Sequence, residues 1–247
     1  MLFTGEVLGK KNGPKFDIAV DPLEGTKFTA NNQPNAFSVI SVAEEGNLLT
    51  APDTYMEKIA IGSNLPKNLL DLDNGVEKNV KLLANAKNKK VSELNACVLK
   101  RERHDEIIKI LNKLEVNINF ITDGDIAGVL SVIGDKPKND IYYSTGGGPE
   151  GVLAAAALSC YGGQIQGRLV LDEEEKIRAK KLGIKDFKKK YNIEDMVKGD
   201  VIFCATGVTS GDIAKGVKDL GNDFEVTTFA LHKSRNVNKI ITNIYHK

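Results

Sequence analysis

The sequence predicts a layered α/β fold with a strand-rich first part and a second part of repeating βα units. Three observations carry this. Short apolar runs broken by proline, glycine and asparagine occupy positions 16–61. From about residue 92, apolar runs alternate with longer amphipathic ones at the spacing of parallel βα units. Segments 120–127, 141–157 and 201–217 each repeat a strand, a small-residue turn and a helix. The division this suggests is a strand-rich domain over residues 1–92 and a parallel α/β domain over 93–247.

In chain order, residues 1–6 have the look of a strand interior. They lack the basic region and apolar stretch of a signal peptide. Residues 16–20 form a strand that Asp21-Pro22 stops, since proline cannot donate to a ladder. Residues 36–42 and 47–50 read as two strands of a hairpin around Glu45-Gly46, and 55–61 as a further strand. A surface helix is expected within 68–85. Then follow strand 95–99, helix 103–114, strand 117–121, helix 125–132, strand 167–171, and a closing antiparallel hairpin of 225–231 with 239–245.

A formal charge of +1 provides no long-range field for nucleic acid or anionic lipid, so an anionic ligand has to be held by a local site. Cys97, Cys160 and Cys204 are odd in number and far apart, which argues for a reducing compartment rather than a disulfide framework. No apolar run approaches the ~20 residues of a membrane span. The expected location is the cytoplasm.

Chemistry concentrates in two segments. In Asp21-Pro22-Leu23-Glu24-Gly25-Thr26, a strand delivers two carboxylates to a turn whose backbone N–H groups and hydroxyl suit an anion. Magnesium takes a few carboxylates plus water and substrate phosphate, so this is half of a Mg²⁺ site; the same spacing also fits a plain turn with Thr26 as a helix cap. In Ser144-Thr145-Gly146-Gly147-Gly148-Pro149-Glu150-Gly151, Pro149 suits the first turn of a helix, and the dipole there favours Glu150, a third carboxylate. Gly146, Gly148 and Gly151 also match the dinucleotide spacing, with Asp172 about twenty residues on. Glu150 counts against that rival, because it places negative charge where a pyrophosphate would sit.

These segments resemble the lithium-sensitive phosphatase superfamily, and its class II fructose-1,6-bisphosphatase branch in particular. Ala51-Pro52-Asp53-Thr54-Tyr55-Met56-Glu57-Lys58, Arg103-His104, Asp123-Gly124-Asp125, Gly167-Arg168-Leu169 and Ala205-Thr206-Gly207-Val208-Thr209 follow that branch in order over nearly the whole chain. The resemblance implies an αβαβα sugar-phosphatase fold that hydrolyses the 1-phosphate of fructose 1,6-bisphosphate with Mg²⁺ or Mn²⁺, in a homo-oligomer. By position it makes Asp21, Glu24 and Glu150 metal ligands and Thr26 the residue that orients the attacking water. It makes Glu24, Gly25, Thr26, Tyr55, Arg101, Glu102, Arg103, Asp123, Gly124, Asp125 and Gly147 substrate contacts. His104 is read as a structural residue at a helix start.

The family carries a helix pair and an acidic turn ahead of the position of Met1. The expectation is therefore an N-terminally truncated fold with three of the family's carboxylates and one uncovered face. The alternatives are a noncatalytic sugar-phosphate or dinucleotide binder, or a phosphatase for sedoheptulose 1,7-bisphosphate or inositol phosphates.

Overall fold

The computed structural model describes residues 4–10 and 12–247. The strand expected over residues 1–6 lies partly outside these; Thr4 and Gly5 form a turn and Glu6 belongs to no strand. Strand β1 (Phe16–Glu24) pairs antiparallel with β2 (Phe37–Glu44). It does not stop at Asp21-Pro22 as expected. The register runs from Phe16↔Glu44 to Asp21↔Val39 and resumes at Glu24↔Phe37, so β1 carries one extra residue around Pro22, a β-bulge. Phe37 and Val39 are two apart and both buried, hence on one face. Their partners Glu24 and Asp21 are three apart and share that face only because of the bulge.

Two six-stranded sheets organise the chain. The first continues from β2 to β9 (Val201–Gly207), then β11 (Asp223–His232), which pairs with the short β10 (Lys218–Asp219) and with β12 (Val237–His246). All its pairings are antiparallel. The second has the order β5 (Asn117–Ile121), β4 (Asn95–Leu99), β6 (Ile141–Gly147), β3 (Tyr55–Ile61), β7 (Gln164–Val170), β8 (Lys190–Asn192). Parallel pairing is confined to β4 with β5 and β6; β3 inserts antiparallel between β6 and β7. The sheets do not follow the 92/93 boundary: β3 joins the second sheet, and β9 to β12 return to complete the first.

Helix α5 (Gly148–Tyr161) lies between the sheets and touches strands of both. Val152 to Leu158 are buried all round, which suits a helix with apolar neighbours on every side. Its alanines let the sheets approach. The short α4 (Asp125–Leu130) and α7 (Ile193–Met196) pack beside it. On the far face of the second sheet, α2 (Gly75–Ala86) and α3 (Asp105–Lys113) close a second core in which Val76, Val80, Leu83 and Leu111 meet Ile59, Ile61, Ala96 and Val98. Each such leucine contributes about 1.5–3 kcal/mol by leaving water. The described layers are thus β, α, β, α. The outer face of the first sheet presents Phe16, Ile18, Val20, Ile40 and Ile202 as exposed side chains.

Two expected elements are absent as drawn. Residues 47–50 form no strand; Leu48 makes a single bridge to Val197. After β9 the chain forms no helix, because residues 208–217 fold back on the loop before β2. There Thr209 Oγ1 accepts from Ala36 N–H at 3.0 Å, and Asp212 N–H donates to Asn35 Oδ1 at 2.8 Å. Helices α1 (Thr26–Ala30) and α6 (Glu173–Lys181) complete the set.

Candidate active site

The carboxyl ends of the parallel trio β4, β5 and β6 converge on the bulged end of β1, and this junction gathers the motif residues. Asp21 Oδ1 accepts from Leu23 N–H at 3.0 Å, a local bond that shapes the bulge. Glu24 is 5% exposed, and its Oε1 accepts from Ile126 N–H at 2.6 Å, joining β1 to the first turn of α4. Burial holds the Glu24 carboxyl well above the usual range, and the charges of Asp125, Asp21 and Glu150 push it further. Glu150, in the first turn of α5, is raised by burial and then by Asp125 and Asp21. Three acids therefore crowd together without enough positive charge to balance them.

Asp125 stands among them but is differently placed. One carboxylate oxygen accepts from the Lys58 ammonium and the other from the Tyr142 hydroxyl. Burial and the Asp125 charge keep that phenol well above its ordinary pKa, so it remains a donor. The glycines of the 144–151 motif find their reason here. A Cβ on Gly146 would overlap the Asp125 carboxylate, and one on Gly147 the Glu150 carboxylate. Gly148 N–H donates to Thr54 O at 2.7 Å. The turn is thus packed with carboxylates and the 52–54 segment instead of standing open to a pyrophosphate. Asp172, the acid of the dinucleotide reading, is the N-cap of α6, accepting from Glu175 N–H at 2.7 Å in a capping box. Neither the turn nor Asp172 is free to hold a dinucleotide.

Thr26 does not cap its helix; Gly25, in the left-handed region at φ 80°, takes that position. Asp123 supplies the missing acceptor from across the site. Its Oδ2 accepts from Lys27 N–H at 2.9 Å and faces Thr26 Oγ1 at 3.5 Å, while Arg101 approaches Oδ1 at 3.9 Å. Gly124 also has positive φ, 77°. A Cβ at Gly25 or Gly124 would meet the Phe28 ring at 2.8 or 2.5 Å, so Phe28 wedges the two turns together.

At the other rim Arg103 lies 4.6 Å over the exposed Tyr55 ring and donates from Nε and Nη2 to Thr145 O at 3.0 and 2.8 Å. Tyr55 pairs across the sheet with Gly147. His104 is structural, as expected. Its Nδ1 lies 2.6 Å from Leu99 O and its Nε2 accepts from Thr145 N–H at 2.8 Å, which assigns the proton to Nδ1. Burial lowers its pKa, in keeping with a neutral ring. Lys100, Arg101, Glu102, Arg103 and Phe120 line an open cleft beside this rim.

The motifs contain Lys58, at the end of the 51–58 match, but give it no role, and they contain neither Tyr142 nor Phe28. For Lys58 there is a signal: it alternates with Met56 and Ala60 on a strand otherwise apolar on that face. Among the described residues, no three His, Cys, Asp or Glu side chains converge as a ready metal cage. The donor chemistry nevertheless fits a hard divalent cation. Asp21, Glu24 and Glu150 offer oxygen ligands only, and their mutual repulsion is what such an ion relieves.

Comparison with known proteins agrees with this chemistry. The family model described as bacterial fructose-1,6-bisphosphatase, glpX-encoded, matches residues 1–245. The chain is 39% identical over 256 aligned residues to "Fructose-1,6-bisphosphatase class 2" of Haemophilus influenzae, covering 97% of this chain and 76% of that protein. It is 37% identical over the same shares to "Fructose-1,6-bisphosphatase 1 class 2" of Escherichia coli strain K12. A crowded carboxylate site at the junction of two sheets, and a match from end to end, place this chain in the bacterial, glpX-encoded fructose-1,6-bisphosphatase family.

Proposed function

We propose that this chain hydrolyses the 1-phosphate of fructose 1,6-bisphosphate, giving fructose 6-phosphate and inorganic phosphate for gluconeogenesis, with Mg²⁺ or Mn²⁺ as the divalent ion. The observation that carries the reading is the set Asp21, Glu24 and Glu150, acids raised by burial or crowded against those that are, at the meeting point of β1, α4 and α5. These three residues would hold the metal. When bound, a divalent ion supplies charge neutralisation at the phosphoryl group and a lowered pKa for a water nucleophile.

The remaining work belongs to the protein's own groups. Thr26, its hydroxyl facing Asp123 Oδ2 at 3.5 Å, keeps oxygen lone pairs to accept from the attacking water and orient it. Gly25 lets the backbone approach the scissile phosphate. Arg101 and Arg103 beside Tyr55 supply guanidinium donors for the distal phosphate, with Glu102 in the same turn. Asp123, Gly124, Asp125 and Gly147 face the sugar. The protein is read as cytoplasmic and homo-oligomeric. Among the described residues no helix is long and apolar enough to cross a membrane. The exposed apolar face of the first sheet and the open edge of β12 support association.

Phosphate release from fructose 1,6-bisphosphate, assayed with Mg²⁺ and with Mn²⁺ and compared with sedoheptulose 1,7-bisphosphate and inositol phosphates, tests the reading. Turnover should require the ion and be abolished by Asp21→Ala or Glu150→Ala. Equal rates for the variants and the unmodified protein would contradict it.

A further inference from the structure

Among the described residues Lys58 is the one lysine that is wholly buried, with 0% exposure. It stands in the middle of β3, on the face turned towards α5, where an apolar side chain would satisfy the packing. Replacing a buried ion pair by well-packed apolar groups is often neutral or stabilising, so stability alone does not account for an ammonium here. Its hydrogen bonds do. Lys58 Nζ donates to Asp125 Oδ2 and, at 2.6 Å, to Gly147 O. One acceptor begins α4 and the other closes β6, immediately before the helix that carries Glu150. Tyr142, also 0% exposed, donates to the remaining Asp125 oxygen.

We propose that Lys58 is a positioning residue for sugar binding: with Tyr142 it pins Asp125, keeps that carboxylate out of the metal's ligand set, and aims its free lone pairs at the sugar. This rests on the assignment of Asp125 to the sugar made above. A carboxylate has about four acceptor sites, and the two donors leave room for a sugar hydroxyl. Of the four crowded acids, Asp125 is thus the one matched by a built-in cation, which leaves Asp21, Glu24 and Glu150 to the divalent ion. Lys58 is fully enclosed and acts on the substrate only through its two acceptors, chiefly Asp125 and secondarily the Gly147 carbonyl.

The test is a set of variants, Lys58→Met, Tyr142→Phe, Asp125→Asn and the double Lys58→Met/Asp125→Asn. Each is measured for kcat and KM with fructose 1,6-bisphosphate and for calorimetric binding of fructose 6-phosphate. Loss of one well-aimed hydrogen bond to a charged group should raise KM and weaken fructose 6-phosphate binding about tenfold in Lys58→Met. In the double variant the losses should fall well short of the product of the two single ones, because Lys58 acts mainly through Asp125, with only the Gly147 contact left to lose once Asp125 is changed. Tyr142→Phe removes only a hydroxyl; it should shift KM in the same direction, and it decides the matter if Lys58→Met does not fold. Wild-type KM and fructose 6-phosphate affinity in Lys58→Met or, if it does not fold, in Tyr142→Phe, or losses that multiply in the double variant, would overturn the proposal. Absence of turnover in the unmodified protein would instead count against the functional reading, with the binding measurements still judging Lys58.

Discussion

Glu24 owes its place to one extra residue in β1. Without the slip between Asp21↔Val39 and Glu24↔Phe37 it would point to the outer face of the sheet, away from Asp21. The Asp-Pro-Leu-Glu-Gly-Thr motif was legible as a pair of carboxylates beside a turn. The bulge was not, because it exists only against a partner strand that the local sequence does not name. The site's repulsion has a measurable consequence. Glu24's folded pKa lies above its ordinary value of 4.5, so the penalty for ionising it is absent below that value and grows as pH rises towards the folded pKa. In chelator, Glu24→Gln should therefore raise Tm, with the gap over the unmodified protein widening as the pH is raised from 4.5, and metal addition should stabilise only the unmodified protein strongly. Thermal melts across pH check this; a gap that closes as pH rises would contradict it. Lys58 was visible as the end of the 51–58 match and as a lysine out of place on a buried strand face, but its role was not, because its partners come from segments 67 and 89 residues away.

At the scale of elements, α1 is held by a residue outside it. Its five residues are too few for a stable helix alone, and Gly25 offers no side chain to cap it. Asp123 accepts from Lys27 N–H instead, so Asp123→Ala should cost about 1 kcal/mol, the worth of an N-cap. It should also lower kcat through Thr26; urea melts and steady-state rates give the two numbers separately. Where the sequence misled, tertiary pairing decided. The β4, β5, β6 trio was legible as βα units, but the antiparallel insertion of β3 between β6 and β7 was not, because a strand's local pattern, nearly continuous burial in β3 or alternation in β7, does not encode its direction. After β9, the turn residues Ala205 to Thr209 resemble the two earlier strand-turn-helix repeats, yet Gly207 and Gly216 sit hard against neighbouring backbone. The chain closes a loop there instead of starting a helix.

For the whole molecule, α5 is the common core of both sheets, which explains why its sequence is almost purely small and apolar after Glu150 and why its first turn can serve as the meeting point of the site. The outer face of the first sheet is the counterpart: Phe16, Ile18 and Val20 remain exposed on β1. If this face and the β12 edge mediate association, light scattering should report a homo-oligomer, and Ile18→Lys with Val20→Lys should shift it towards monomer; a monomer at all concentrations would count against it. The division of labour between sheets was only partly legible, since the strands that complete the first sheet come from the last fifth of the chain. The carboxylate junction is built to release one particular phosphate, the 1-phosphate of the proposed substrate. Phosphorus-31 NMR of fructose 1,6-bisphosphate incubated with the protein and a divalent ion tests this directly. Inorganic phosphate and fructose 6-phosphate should appear in equal amounts and be lost with Glu150→Ala; fructose 1-phosphate as product, or unchanged turnover in that variant, would show that the junction does not act in this way.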